Sequence, residues 1–242
     1  MPKTTKTQVI KPRIKVTKNG PYLVSGIDTV TEKFIMPDEE GASAEYKDGQ
    51  TYAKLTEPIA LCRCGKTKNM PFCDGAHVHH GFDGTTTAPR TPIMDGAHLY
   101  KGQDYTLADN ELYCAFARFC DALGRVWNLI ENGQNAEKTA VKLAHKCCAG
   151  RLMIIDNQTN EVIEPNLPYE VSVLQDPAIG VSGPLYAQGG FEIEDENGKS
   201  YEVRNRQTLC RCGISDNKPF CNGAHASIRF NDGKIKPRRR KP

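Results

Sequence analysis

Two sets of metal-binding side chains recur along the chain at the same spacing. Each set has three cysteines followed by one histidine: Cys62, Cys64, Cys73 and His77 in the first, and Cys210, Cys212, Cys221 and His225 in the second. Three thiolates and one neutral imidazole suit a four-coordinate soft-metal site, for which zinc and iron are both common occupants. The residue types and their spacing predict two metal sites and leave the choice of metal open.

The residues between the ligands indicate how each set closes into a site. C-x-C places two sulfur atoms on one turning stretch of backbone, eight residues return the third thiol, and three more bring the histidine to the same side. Gly75 and Gly223 stand between the third cysteine and the histidine, where a tight turn needs the conformational freedom of glycine. Each copy is therefore predicted to form one short metal-binding loop.

Cysteine usage and hydropathy narrow the class of protein. Cys62 and Cys64 lie too close together to form a comfortable disulfide, and the same holds for Cys210 and Cys212. The first residues lack the apolar stretch of a secretory signal, and no run approaches 18 apolar residues. We expect a cytoplasmic protein with no membrane span, whose clustered thiols bind metal.

The charge of the chain is concentrated at its ends. Residues 1–18 and 234–241 carry six basic side chains each and no acid, which leaves 20 basic and 29 acidic residues between them. Such ends are typical of solvated tails, predicted here over 1–12 and 234–242, and nucleic acid is not the expected partner.

The motif around the ligands is specific enough to resemble a known family. It spells C-x-C-x2-[S/T]-x3-P-x-C-[D/N]-G-A-H and resembles the signature of the CDGSH iron–sulfur domain, or NEET, family. The first copy matches at every position, and the second departs once, with Asn222 where the first has Asp74. The resemblance implies one [2Fe–2S] cluster per motif. The first cysteine pair would hold one iron, and the third cysteine with the histidine would hold the other.

Two features of these motifs predict how the sites behave. A neutral imidazole in place of a thiolate leaves a cluster less negative and raises its reduction potential. Asp74 can ionise and Asn222 cannot, so we expect these neighbours of the ligands to make the two sites differ in potential or in acid lability.

The repeat extends beyond the ligands and predicts a duplicated β unit. NGPYLVSG at 19–26 resembles SGPLYAQG at 182–189, and both segments read as a turn followed by a strand. The first copy has an additional acidic loop over 36–50. We predict two small β-rich CDGSH units, at 13–98 and 167–233, that pack as an intrachain pseudo-dimer.

The segment 99–166 between the repeats reads differently, as an α+β insert. Asp109 or Asn110 is a plausible helix cap, and apolar residues follow at helical spacing to Ile130. A second helix is predicted over 136–146, and a hairpin is predicted with its turn at 157–160. The fold class expected for the whole chain is therefore α+β.

Four further cysteines lie in the insert. Cys114, Cys120 and Cys147 resemble the ligands of a mono-cluster ferredoxin. The last cysteine motif of such ferredoxins, C-P-x-G-x-L, is matched by residues 147–152, except that Cys148 replaces the proline. The resemblance implies a ferredoxin-like insert with a possible third site for a [3Fe–4S] or incomplete [4Fe–4S] cluster. Alternatively, these thiols are core residues. Six residues along a helix do not share a face, so a cluster requires a loop at Cys114.

These features predict an iron–sulfur protein that transfers electrons to an unknown redox partner. We find no nucleophile–base constellation in the sequence that would indicate an enzyme. Two alternatives remain from the sequence: an iron–sulfur cluster donor or redox sensor, and a structural zinc protein that binds nucleic acid. The oligomeric state stays open.

Overall fold

The computed structural model describes residues 11–236, except for the side chain of Gln134. Most of the two predicted basic tails, 1–12 and 234–242, lies outside the described residues. At the described start of the second tail, Ile235 is buried and the Lys234 ammonium donates to Gln50 Oε1 at 3.1 Å.

Strands dominate the described part of the chain. The strands are β1 (Arg13–Val16), β2 (Tyr22–Ser25), β3 (Val30–Pro37), β4 (Ser43–Tyr52), β5 (Ile59–Leu61), β6 (His98–Lys101), β7 (Tyr105–Asp109), β8 (Leu152–Asp156), β9 (Val162–Ile163), β10 (Glu170–Asp176), β11 (Val181–Gln188), β12 (Glu192–Glu194) and β13 (Arg206–Leu209). The α-helices are α1 (Ala76–His79), α2 (Val126–Glu131), α3 (Gln134–His145) and α4 (Ala224–Ser227). No helix among the described residues is long and apolar enough to cross a membrane.

The two repeats exchange a strand. The first sheet has the order β12-β1-β2-β5, so the first repeat's antiparallel strands accept β12 from the second repeat, parallel to β1. The second sheet has the order β13-β11-β10-β3-β4, and β3 of the first repeat runs parallel to β10 of the second. Neither sheet is complete without a strand from the other repeat.

A shared hydrophobic core joins the repeats. Val16 and Tyr22 of the first repeat pack in one cluster with Leu185 and Phe220 of the second, and all four are almost fully buried. The alternation of buried and exposed residues along β1 and β2 directs one face of each strand into this core. Burial of apolar surface at about 25 cal/mol per Å² favours association of the two repeats.

The acidic segment 36–50 is not a loop, contrary to the sequence prediction. β3 and β4 pair there as an antiparallel hairpin around residues 38–42. The Asp38 carboxylate accepts hydrogen bonds from the backbone N–H groups of Glu40 and Ala42, at 3.0 and 2.8 Å. The aspartate binds its own turn in this way, and Gly41 supplies the positive φ of +86° that the turn needs.

The insert forms a third sheet, of order β6-β7-β8-β9, covered by α2 and α3. The predicted hairpin is confirmed, because β8 and β9 pair on either side of residues 157–160. The second predicted helix is also confirmed as α3.

The first predicted helix of the insert is wrong. Only α2 is α-helical, and the residues before it form two 3-10 turns, Glu111–Tyr113 and Phe119–Gly124, joined by irregular backbone. Phe116 and Leu123 were read as part of an apolar helix face, but they are 45% and 67% exposed and have positive φ. The Asn110 side chain accepts from Leu112 N–H and caps only the first short turn.

Candidate metal centres

The two metal loops are built on the same backbone frame. β5 runs directly into Cys62, and β13 runs directly into Cys210. Cys62 N–H donates to Pro71 O at 2.9 Å, and Cys210 N–H donates to Pro219 O at the same distance. Each loop therefore returns to the start of its own strand and brings the third cysteine next to the first two.

A hydroxyl inside each loop explains the Ser or Thr of the motif. Thr67 donates to Phe72 O at 2.8 Å and accepts from Asn69 N–H at 3.0 Å. Ser215 makes the equivalent bonds with Phe220 O at 2.7 Å and Asn217 N–H at 3.1 Å. These hydroxyls satisfy backbone groups that have no partner in a ladder.

Glycine makes the last turn of each loop. Gly75 and Gly223 have φ of +85° and +82°, a conformation that side chains oppose. Each is followed by one helical turn, α1 or α4, which brings the histidine back onto the third cysteine. The sequence prediction of a glycine turn at both positions is confirmed.

The four candidate ligands of each motif form two close pairs. The Sγ atoms of Cys62 and Cys64 are 3.7 Å apart, and Cys73 Sγ lies 3.4 Å from His77 Nδ1. In the second motif the Cys210–Cys212 and Cys221–His225 separations are again 3.7 and 3.4 Å. Metal–sulfur bonds of about 2.3 Å and metal–nitrogen bonds of about 2.0 Å at a tetrahedral centre place two ligands about 3.5–3.8 Å apart. Each pair therefore fits one metal ion.

The pairs are separate from each other. Within residues 11–236, no three His, Cys, Asp or Glu side chains converge as ligands of a single ion. Among the described residues, the candidate ligands of each motif are thus grouped as two close pairs.

Burial and hydrogen bonding shift the pKa values of the ligands. Burial raises the pKa of Cys64 to about 11 and also raises that of Cys73. The hydrogen bond between Cys210 and Cys212 lowers the pKa of Cys210 to about 6 and raises the pKa of Cys212, so the pair shares one thiolate and one thiol. Burial, and then the charge of Arg211, lower the pKa of His225 to about 4, which keeps its imidazole neutral. Thiolate and neutral imidazole are the forms that bind metal.

The two loops touch each other at equivalent glycines. A Cβ atom placed on Gly65 would lie 2.8 Å from Cys212 O, and one placed on Gly213 would lie 2.8 Å from Cys64 O. Each contact puts the end of one C-x-C segment against the other. The two sites are therefore neighbours, and only glycine allows the loops to approach this closely.

Arg63 and Arg211, the middle residues of the two C-x-C segments, are almost fully buried. Arg63 donates to the carbonyls of Thr17, Gly20 and Gly84, at 2.8, 3.3 and 2.6 Å. Arg211 donates to Gly183 O at 2.7 Å and forms an ion pair with the buried Asp232, also at 2.7 Å. Their identical place inside C-x-C in both copies was the signal for this structural role.

The surroundings of the two sites differ. In the second motif, Cys221, His225 and Asn217 are buried, whereas their counterparts Cys73, His77 and Asn69 are half-buried or exposed.

The insert accounts for much of this difference. Asn217 donates to Leu112 O at 3.1 Å, and the ring of Phe220 packs on Tyr113 with centroids 5.4 Å apart. A Cβ on Gly223 would meet Cys114 O at 3.1 Å, whereas one on Gly75 would meet nothing within 4 Å. The insert therefore covers the second loop and leaves the matching face of the first open.

The one substitution between the motifs changes the local hydrogen bonding. Asp74 accepts from Lys68 N–H at 2.8 Å and Ala76 N–H at 3.0 Å, one bond to each carboxylate oxygen, and these bonds lower its pKa. Asn222 has one acceptor oxygen, which accepts from Ala224 N–H at 3.2 Å. The carboxylate ties both arms of the first loop together, and the amide ties only one.

The structure brings the central cysteines together. Cys114, Cys120 and Cys147, with Cys148, line one recess of the insert. Cys148 is almost fully buried in the adjoining core, whereas the other three are half-buried. The loop at Cys114 that a cluster requires is present, since no helix joins Cys114 to Cys120.

Fold and sites together define a metal-binding β protein made from a duplicated unit and an insert. The sequence profile of the family described as "Iron-binding zinc finger CDGSH type" matches the chain twice, over residues 19–78 and 182–226. The chain thus carries two CDGSH iron-binding domains, which confirms the resemblance found in the motifs.

Curated relatives match over the motif alone. A CDGSH iron-sulfur domain-containing protein 2 homolog of Drosophila virilis is 52% identical over 29 residues, 12% of this chain and 22% of that protein. The homolog of Drosophila grimshawi is 58% identical over 26 residues, 11% of this chain and 20% of that protein. The chain thus spans about a fifth of the length of these relatives. No solved structure matches.

Proposed function

We propose that each CDGSH motif of this protein holds one [2Fe–2S] cluster and that the protein transfers electrons. When bound, such a cluster accepts and releases one electron at a time. Cys62 with Cys64 would hold one iron of the first site, and Cys73 with His77 the other. Cys210, Cys212, Cys221 and His225 would do the same in the second site.

The arrangement of ligands in pairs is the observation that carries this proposal. A zinc ion in a structural site takes four protein ligands around one centre. Two pairs, each at the spacing of ligands on a single tetrahedral ion, would suit a two-iron cluster in which each pair holds one iron. The chemistry and placement of the side chains thus favour [2Fe–2S] over a zinc site.

The contact between the loops supports electron transfer as the role. Gly65 and Gly213 hold the two C-x-C segments against each other, and the repeats share strands in two sheets. We interpret the duplicated units as an intrachain pseudo-dimer around paired sites. All ten cysteines are free thiols, which suits a reducing compartment such as the cytoplasm. The redox partner would be a protein.

Replacing the ligand histidines tests the proposal. His77→Cys and His225→Cys, made singly, should keep a coloured cluster and lower the reduction potential of the altered site. The expected shift is on the order of 100 mV, because a thiolate adds negative charge that the imidazole lacks. Redox titration followed by visible absorption and electron paramagnetic resonance measures it.

His80→Cys is the matched control, because this exposed histidine belongs to neither ligand pair. It should leave both potentials unchanged. A colourless protein that contains zinc and no acid-labile sulfide would overturn the proposal.

The open face of the first site favours a second candidate function, as a cluster donor. Cys73 and His77 are half-buried, and within residues 11–236 no atom lies within 4 Å of a Cβ placed on Gly75. A donor must expose its ligands to the acceptor's thiols, and only the first motif does so. Incubation with an apo-ferredoxin should then move iron and sulfide from the first site. If both clusters were retained and the protein still transferred electrons, the donor function would be excluded and electron transfer would be the only role of the two that stands.

A further inference from the structure

The insert carries a group of thiols that the CDGSH sites do not use. Cys114 and Cys120 belong to the irregular segment before α2, and Cys147 follows α3. Together with Cys148 they line one recess. Three polypeptide turns therefore deliver sulfur atoms to one place, although the repeats need none of them.

The backbone around this recess is strained. Phe116, Arg118, Leu123 and Arg125 have φ between +52° and +74°, where non-glycine residues are uncommon. Each such residue costs about 1–2 kcal/mol, and strain of this kind concentrates at functional sites. The turns at Phe116 and Arg118 wrap the chain around the recess between Cys114 and Cys120. A helix here would have left these two thiols on different faces.

Contacts outside the recess hold the three thiol-bearing turns in place. Arg118 forms an ion pair with the buried Asp176 at the end of β10. The buried Arg206 donates to Cys147 O at 2.9 Å and to Ala144 O at 2.6 Å. Gly150 lies against Arg206 O, so closely that a Cβ there would come within 2.4 Å of it. The recess is thus fixed by both the insert and the second repeat.

A positive charge stands beside the thiols. Arg151 lines the recess, is almost fully buried, and forms an ion pair with Asp109 at 3.2 Å. A cationic side chain beside the thiols would offset part of the negative charge that several thiolate ligands bring to one site.

We propose that Cys114, Cys120 and Cys147 are the ligands of a third iron–sulfur centre, seated in the recess of the insert. Three half-buried thiols that line one recess would suit an iron–sulfur cluster in which each cysteine holds a different iron. Cys148 is not a ligand, because it packs with Leu174 and Tyr186 in the core.

The proposed centre is adjacent to the second CDGSH motif and not to the first. Gly223 of that motif packs on the carbonyl of Cys114, and Cys221 shares one hydrophobic cluster with Ala115 and Cys148. The proposal of a third centre depends only on the residues of the recess. Its coupling to a cluster at Cys221 rests on the proposed function of the second motif.

Iron content and spin state test the third centre. The full chain is reconstituted anaerobically with ferrous iron and sulfide, and iron and acid-labile sulfide are counted per chain. Two [2Fe–2S] sites alone give about four irons, and a third centre raises the count to about seven or eight. Cys120→Ala should lose the additional three or four irons and keep the [2Fe–2S] absorption. Cys148→Ala, the matched control, should keep the full count.

Several outcomes would overturn the third centre. These are a wild-type count of about four, a count in Cys120→Ala equal to the wild type, or an equal loss in Cys148→Ala. The wild-type count needs no variant to fold, and Cys147→Ala gives a second test if Cys120→Ala is unstable. Failure of the CDGSH assignment is distinguishable, because it removes the [2Fe–2S] signals and leaves the Cys120-dependent irons.

Electron paramagnetic resonance tests the adjacency. In reduced protein, the signal of the second [2Fe–2S] site should relax faster than that of the first, and Cys120→Ala should abolish the difference. Equal relaxation of both sites in a wild-type protein with seven or eight irons would contradict the placement beside the second motif.

Discussion

Single residues distinguish the two metal loops more than their motifs do. Asp74 holds two backbone N–H groups where Asn222 holds one, and His77 is half-buried where His225 is 4% exposed. The first difference was visible in the sequence, because the two motifs have an aspartate and an asparagine at equivalent positions. The second was not, because the insert that covers the second loop lies about a hundred positions away in the chain.

Asp74→Asn should loosen the first loop. The amide keeps one acceptor, so the bond from Lys68 or from Ala76 is lost, and the first cluster should be released several-fold faster. The measurement is the decay of visible absorption at constant pH in the presence of a chelator. Asn222→Asp is the reciprocal control and should slow release from the second site or leave it unchanged; faster release there would contradict this account.

Exchanged strands and touching loops join the two repeats at the scale of elements. The sequence predicted the strands at 19–26 and 182–189 and the metal loops after them. Their local signals are strong, because each has turn residues and a short apolar run. The exchange of β3 and β12 could not be predicted, because parallel pairing between repeats leaves no local pattern. The first helix of the insert failed as a prediction for a related reason: tertiary contacts hold Phe116 and Arg118 in left-handed turns.

Gly213→Ala should destabilise the contact between the loops. Gly213 needs φ of +86° and its Cβ would meet the backbone of Cys64 at 2.8 Å, so the change should cost about 2 kcal/mol or more. Gly41→Ala is the matched control, with the same φ of +86° in open space, and should cost only about 1 kcal/mol. Equal losses in unfolding free energy for the two variants would show that the loops do not pack as described.

Glu170→Gln tests the junction between β3 and β10. Burial alone would raise the pKa of Glu170, but hydrogen bonds from Thr31, Ser172 and Lys33 lower it below its ordinary value of 4.5. Its contribution is therefore fully present above about pH 4.5 and is lost as the pH falls through the lowered pKa. At pH 7 the variant should lose about 1–3 kcal/mol of unfolding free energy, as expected for hydrogen bonds to a charged group.

The pH profile distinguishes the loss of the Glu170 hydrogen bonds from nonspecific acid denaturation. The difference between wild type and Glu170→Gln should shrink below pH 4.5, whereas Glu45→Gln, at an exposed carboxylate on β4, should show little difference at any pH. A difference for Glu170→Gln that stays constant from pH 7 to pH 3 would rule out the junction as a source of pH-dependent stability.

The whole molecule is asymmetric, although it is built from a repeat. The insert covers the second metal loop through Leu112, Tyr113 and Cys114, while the first loop keeps its outer face open. Duplication could be predicted from the sequence, but the position of the insert could not, because it depends on long-range packing. The same packing explains why the four central cysteines share a recess despite their distance in the sequence.

This asymmetry predicts two rates of iron loss. A ferrous chelator added to the reduced protein should remove iron from the first site at least several-fold faster than from the second, because the insert packs against Cys221 and Gly223 of the second loop. Cys73→Ala should abolish the fast phase only, and Cys221→Ala the slower one. A single phase for both sites would contradict the shielding role of the insert.

Mössbauer spectroscopy of 57Fe-reconstituted Cys120→Ala protein tests the two-pair arrangement of ligands most directly. Because this variant lacks one proposed ligand of the third centre, we expect about four irons per chain. The spectrum should show two iron classes of equal area, one bound by two cysteines and one by a cysteine and a histidine. One iron per motif, or four irons in a single class, would contradict it.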